Sequence, residues 1–238
     1  MVKRLELGGI SVDVQFKDIK NVHLSVYPPT GRVRISAPER MSLDTVRVFA
    51  ISKLDWIKAQ QKKLVAQERE APREFMERES HYLWGQRYLL ELRVAKGKSK
   101  VDITHKKIVI SSPKAVSQER LRVLMDEQYR AVLREKASDL VAQWESRLEV
   151  RVSQLFIQRM KTKWGSCNPS ARNIRLNLDL AKKAPECLEY IVLHEMLHFF
   201  VPNHGPKFVK LMDSHMPHWR QVRQKLNATP LSHMDWTY

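Results

Sequence analysis

Three histidines and a glutamate stand close together in HEMLHFFVPNH, residues 194–204. His194 and His198 are four residues apart, so on a helix both rings leave one face, a single turn apart. A tetrahedral zinc ion accepts two imidazoles at that spacing, and Glu195, beside the first, can work on a metal-activated water without ligating the ion. A catalytic zinc also takes a third protein ligand and keeps one position open. His204 is the nearest candidate. Pro202 disfavours helical backbone at Val201 and ends the helix, while Gly205 and Pro206 let the chain turn into another helix, which can swing His204 back over the pair. His215 and His218, further along, are the fallback ligands; a glutamate cannot serve there, because only Asp213 and Asp235 follow Glu195 as carboxylates. Two imidazoles and a carboxylate among Ile191, Val192, Met196 and Leu197 would be costly to bury without a shared partner, and a zinc ion supplies one.

These residue types point to metal-assisted hydrolysis of a peptide bond through a zinc-activated water. Glu195 acts as general base, accepting the water proton and later returning it to the leaving amine. The oxyanion needs a stabilising group, and Tyr190, Arg159, His215 and His218 are the candidates. IRLNLDL (174–180), just before the histidine helix, suits a strand to which extended substrate adds by β-pairing. WGSC (164–167) either belongs to that substrate-binding region or forms a tight turn, through Trp164 and Gly165, packed under the helix. Cys167 is either a small buried residue or a fourth, inhibitory zinc ligand. Asn177 is the candidate for orienting a ligating imidazole.

The elements that must position this group follow from pattern and punctuation. Residues 22–38, NVHLSVYPPTGRVRISA, alternate apolar and polar around Pro-Pro-Thr-Gly, a β-hairpin signal. After Ser42 and Leu43 one helix runs through VRVFAISKLDWIKAQQKKLVAQ, fading into a charged stretch around 68–79. Residues 82–94 and 100–111 read as two strands joined by a Lys/Gly/Ser-rich loop. Ser117 is the N-cap of a long helix reaching about residue 148. Residues 150–180 return to strand pattern around a WGSCNPSARN turn. Pro185 then opens the histidine helix and Pro206 opens another, KFVKLMDSHM. No internal repeat is visible. The expected fold is α+β, with a β-rich N-terminal region over residues 1–115 and a catalytic half over residues 116–238.

The chain is long enough, at 238 residues, to bury a core, and 43% hydrophobic with 29% charged content excludes wholesale disorder. Its start, MVKRLELGGISVDVQF, lacks the apolar run of a signal peptide, and no stretch approaches the about eighteen apolar residues of a membrane span. Cys167 and Cys187 make no disulfide framework and fit free thiols in a reducing cytoplasm. The net charge of +16 is spread over both halves. It favours polyanions, whether acidic polypeptide or nucleic acid, or serves solubility alone. Arg159, Lys161, Lys163, Arg172 and Arg175 crowd the segment before the histidine helix, and KGKSK (96–100) adds a second cluster. These are candidate DNA contacts, with solvated surface charge as the competing reading.

The sequence resembles the YgjP-like metallopeptidase family, which is related to the SprT-like and WLM proteases. The resemblance is carried by WGSC (164–167), NIRLNLDL (173–180), HEMLH (194–198), NHGPKF (203–208) and MPHWRQVRQKL (216–226), with GRVRISAPERMS (31–42), KLDWI (53–57) and YLWGQRY (82–88) upstream. The histidine spacing also coincides with H-E-x-x-H-x-x-G-x-x-H of the metzincins, but Val201 replaces their glycine and no Met-turn can be identified. The resemblance implies a zincin-like catalytic half with His194, His198 and His204 as ligands of Zn2+ and Glu195 as catalytic residue, acting on protein or peptide. Two other readings compete. One is a nucleic-acid-associated factor, its zinc structural or serving DNA-linked proteolysis as in SprT-like proteins. The other is a non-catalytic zinc-binding interaction module, against which the intact Glu195 speaks.

Overall fold

Alternating side chains and glycine turns build the first sheet. Strands β1 (Val2–Leu7) and β2 (Ile10–Lys17) are joined by Gly8 and Gly9, whose φ of 55° and 82° a tight β-turn demands. Strands β3 (His23–Tyr27) and β4 (Arg32–Pro38) form the expected hairpin. The two hairpins meet through a parallel pairing of β2 with β4, giving the order β1-β2-β4-β3. Leu5, Val12, Val14, Val33 and Ile35 fill the buried face. The Ser42 hydroxyl accepts from the Thr45 amide at 3.1 Å and caps α1 (Leu43–Ser52). α2 (Leu54–Ala66) follows, so the single expected helix is two, parted at Lys53. This computed structural model describes residues 2–27, 30–66, 73–160 and 163–228. The chain divides into two compact units, drawn from Met1–Glu70 and Ala71–Ser232.

The second unit opens with β5 (Ser80–Leu83), β6 (Gln86–Val94), β7 (Lys100–Ile103) and β8 (Lys107–Ser112), in the order β5-β6-β8-β7. The segment read as one strand, YLWGQRYLLELRV, is thus a hairpin turning at Trp84 and Gly85, with φ of 51° and 76°. α3 (Gln118–Leu148) starts at the expected cap, Ser117. A third sheet has the order β10-β11-β9, from β9 (Gln154–Gln158), β10 (Gly165–Asn168) and β11 (Asn173–Asn177), and leads into a 3-10 turn at Leu178–Lys182. Three helices end the unit: α4 (Pro185–Leu197), α5 (Pro206–His215) and α6 (Trp219–Ala228).

One apolar cluster takes Leu90 and Ile110 from the second sheet, Leu133 and Trp144 from α3, and Ile191 and Met196 from α4. The boundary expected at residues 115/116 therefore falls inside a unit, because the sheet before it shares a core with the helices after it. Polar bonds follow the same route. The Trp84 amide donates to the Ala181 carbonyl at 2.8 Å, and the Tyr129 hydroxyl to the Tyr82 carbonyl at 2.9 Å.

The topology also shows a repeat that the sequence hides. Both four-stranded sheets are two hairpins joined by parallel inner strands and followed by a Ser-capped helix. Pro38 and Ser42 recur as Pro113 and Ser117, and the Asp13–Arg32 ion pair recurs as Glu91–Lys107. No described helix is long and apolar enough to cross a membrane.

Candidate metal centre and active site

Pro185 opens α4, where its missing N–H leaves no bond unmade. The helix is buried nearly all round and ends at Leu197, with His198 as C-cap. The Val201 amide closes the last turn on the Leu197 carbonyl at 3.1 Å, and the chain reverses through Pro202 into α5. That reversal returns His204 to the other two histidines. One ligand atom from each of His194, His198 and His204 lies within 4.8 Å of the others. Phe208, buried in the first turn of α5, sits 4.9 Å from each ring, centroid to centroid, and backs the group.

The donor set fits a zinc ion. His198 Nδ1 lies 3.0 Å from the Val201 carbonyl, which can only accept, so the proton is on Nδ1 and the Nε2 lone pair is free to ligate. His194 Nε2 and His204 Nε2 face each other at 2.9 Å, and His194 Nδ1 is buried without a partner. Burial first, then His198 and His204, pull the His194 pKa down to about 3. Burial, His198 and Arg223 likewise hold His204 below the ordinary imidazole value. Both are therefore neutral at pH 7, the form a metal takes. Three neutral imidazoles whose ring nitrogens converge on one point form a donor set that a shared cation would satisfy.

Glu195, on the same helix, is 6% exposed, and burial raises its pKa to about 7 against the pull of Lys163. A cleft of about 580 Å³ holds both Glu195 and the three histidines, with Lys163–Cys167, Pro169, Tyr190, Pro202 and Arg223 among its walls. Gly165 explains part of WGSC. A Cβ there would lie 2.7 Å from Glu195 Oε1 and 2.9 Å from both Glu195 Cγ and Ile191 Cγ2, so only glycine lets β10 approach the carboxylate this closely.

Gly165–Cys167 of WGSC thus lie in a strand and not a tight turn, and β10 is an edge of its sheet. β11, expected to receive substrate, is paired on both sides. The Asn177 amide donates to the Trp164 carbonyl at 2.9 Å. By antiparallel alternation, Ser166 and Asn168 then bond β11, while Gly165 and Cys167 turn their backbone groups outward.

The other expected residues scatter. His215 packs edge-on against Trp144, 6.0 Å between centroids, and neither it nor His218 belongs to the histidine group or lines the cleft. Asn177 orients no imidazole; its Nδ2 donates to the Met160 and Lys163 carbonyls, each at 2.9 Å, and pins the approach to β10. Cys167 lines the cleft outside the ligand group, its thiol pushed up to about 11 by burial and by Glu195. Of the five expected basic residues, Lys163 is the one that lines the cleft among the described residues. Arg159 is ion-paired with Asp126 at 2.7 Å and Asp179 at 3.2 Å, and Arg175 lies over the Phe156 ring. Arg172 lines a separate hollow near the end of α3, and Lys161 lies outside the described residues. Tyr190 does sit at the site, edge-on to His194 at 5.8 Å and stacked on Trp219. Sequence reasoning passed over Gly165 as a site residue, although glycine inside a strand signals close approach, and it missed Arg223.

The family model described as "YgjP-like, metallopeptidase domain" matches residues 20–229. No curated protein matches the chain. Among solved structures, the metallopeptidase zymogen abylysin of Pyrococcus abyssi is similar at 17% identity and a TM-score of 0.36, over 38% of this chain and 90% of that one. The metallopeptidase zymogen jannalysin of Methanocaldococcus jannaschii is similar at 28% identity and a TM-score of 0.34, over 38% and 92%.

Proposed function

The chain belongs to the YgjP-like metallopeptidase family, and from that premise we propose that it is a zinc-dependent endopeptidase with a zincin-like catalytic half, acting on protein or peptide. The observation that carries this reading is the convergence of three imidazoles in one cleft with a buried glutamate. His194, His198 and His204 would hold the zinc. When bound, the ion supplies Lewis acidity to a water and to the scissile carbonyl.

The rest is the work of this chain's residues. Glu195 takes the proton of the attacking water and passes it to the leaving nitrogen; a pKa near 7 suits a group that must both accept and release a proton at neutral pH. The outward N–H and C=O groups of Gly165 and Cys167 offer an extended peptide a strand to pair with, which lays its backbone along the cleft. The two free cysteines, one of them buried, support a reducing, cytoplasmic setting.

Metal analysis with casein hydrolysis tests the reading. The wild type should carry about one zinc per chain and cleave unfolded casein. His204→Ala should lose both metal and activity, and His215→Ala should lose neither. Full zinc in His204→Ala with loss in His215→Ala or His218→Ala would overturn the ligand assignment.

A further inference from the structure

Helix α6 carries three basic residues, and two of them are committed. Arg220 is ion-paired with Asp213, and Lys225 with Glu186. Arg223 makes no hydrogen bond or ion pair among the described residues, yet it lines the cleft with Leu226 and Asn227, which share its face of the helix. Buried Val222 and Leu226 fix the rotation of α6, so packing sets where this guanidinium points. Its charge bears on His194, His204 and the Tyr190 hydroxyl. Lys163, the other cation of the cleft, bears instead on Glu195, which is the one carboxylate among the lining residues. Arg223 is thus a cation lining the histidine cleft, with no anion paired to it among the described residues.

Peptide hydrolysis generates such an anion. As water attacks the carbonyl carbon, the new C–O bond displaces the carbonyl π pair onto oxygen. Charge stays there until the C–N bond breaks and its electron pair leaves with nitrogen, which takes the proton Glu195 removed from the water. We infer that Arg223 is the catalytic residue that hydrogen-bonds the scissile carbonyl oxygen as negative charge builds on it. This rests on the peptidase reading. A guanidinium suits the role: it stays protonated throughout, and its charged donors strengthen as the acceptor becomes an anion. Arg223 takes the place for which Arg159, His215 and His218 were expected, and Tyr190 remains beside it.

The rival anion is a carboxylate of the substrate itself, and the test separates the two. Zinc-loaded wild type, Arg223→Ala and Arg223→Lys are assayed on a quenched-fluorescent peptide with an amidated C-terminus and on its free-acid twin. For Arg223→Ala, kcat should fall by about 10²- to 10³-fold on both peptides, with KM nearly unchanged. Zinc content and melting temperature should stay at wild type, and Arg223→Lys should recover part of the loss. A phosphinic peptide, whose anionic oxygen imitates the charged carbonyl oxygen, should lose affinity by a similar factor. Unchanged kcat with a raised KM confined to the free acid would identify a carboxylate clamp and overturn the inference. So would unchanged kinetics on both peptides. The peptidase reading fails by a different sign: equal cleavage by wild type and Glu195→Gln.

Discussion

Replacing Gly165 by alanine tests whether β10 sets the position of Glu195. The new Cβ would stand 2.9 Å from Glu195 Cγ and from Ile191 Cγ2, and 2.7 Å from Glu195 Oε1. Non-bonded carbons rest at about 3.5–4.0 Å, so something must give by roughly 0.5–1 Å. Ile191 is locked in the core, and the backbone of α4 is buried on nearly every side. The Glu195 side chain therefore moves. Gly165 is not in the left-handed region, so alanine adds no backbone strain and the effect is steric alone. Overpacking of this kind costs about 1–3 kcal/mol, and displacing a catalytic group by about 1 Å costs on the order of 10²-fold in rate. Steady-state hydrolysis of a quenched-fluorescent peptide, zinc analysis and a thermal melt together read this out. Activity should fall about 10²-fold with zinc retained and the melt modestly lowered. Wild-type kcat/KM with an unchanged melt would refute the reasoning, because the carboxylate would then not depend on that contact.

Two predictions concern the frame. Asp179 is buried and binds Arg159 at 3.2 Å and Lys182 at 3.0 Å, so Asp179→Ala removes an anion shared by two cations and should destabilise the second unit by about 2 kcal/mol, less than for a fully broken buried pair because Arg159 keeps Asp126 at 2.7 Å. Chemical denaturation checks this; a loss well under 1 kcal/mol contradicts it. Burial raises the Asp13 pKa, but the bonds and charges of Arg32 and Arg4 outweigh it and hold the carboxyl below its ordinary value of 3.8. A depressed folded pKa contributes stability above the unfolded pKa that is lost as pH falls through the folded one. The stability difference between wild type and Asp13→Asn should thus be full at neutral pH and fade on acidification below 3.8. A difference that grows as pH drops would show the sign to be wrong.

What the sequence disclosed was local. The spacing of His194 and His198 on one helix and the breaker at Pro202 placed three imidazoles together, and Ser117 marked the start of α3, because each rests on residues within a few positions of one another. The parallel pairing of β2 with β4 left no such mark. Strand pattern reports which face is buried and not which neighbour a strand takes. The repeated sheet was hidden for a related reason: Asp13–Arg32 and Glu91–Lys107 keep charge and register but not residue identity. Asn177 looked like a partner for an imidazole because it precedes the histidine helix, yet its amide reaches back to the carbonyls of Met160 and Lys163. Gly165 and Arg223 became site residues only through tertiary approach, the first from an edge strand and the second from a helix beyond the histidines. No short-range pattern encodes either meeting.

The measurement that bears most directly on the account is peptide hydrolysis by zinc-loaded Glu195→Gln beside zinc-loaded wild type. The amide fills the same buried space but cannot accept the water proton, so the rate should fall by about 10²- to 10⁴-fold while zinc content stays at the wild-type level. Hydrolysis by Glu195→Gln at the wild-type rate, with full zinc, would contradict the account.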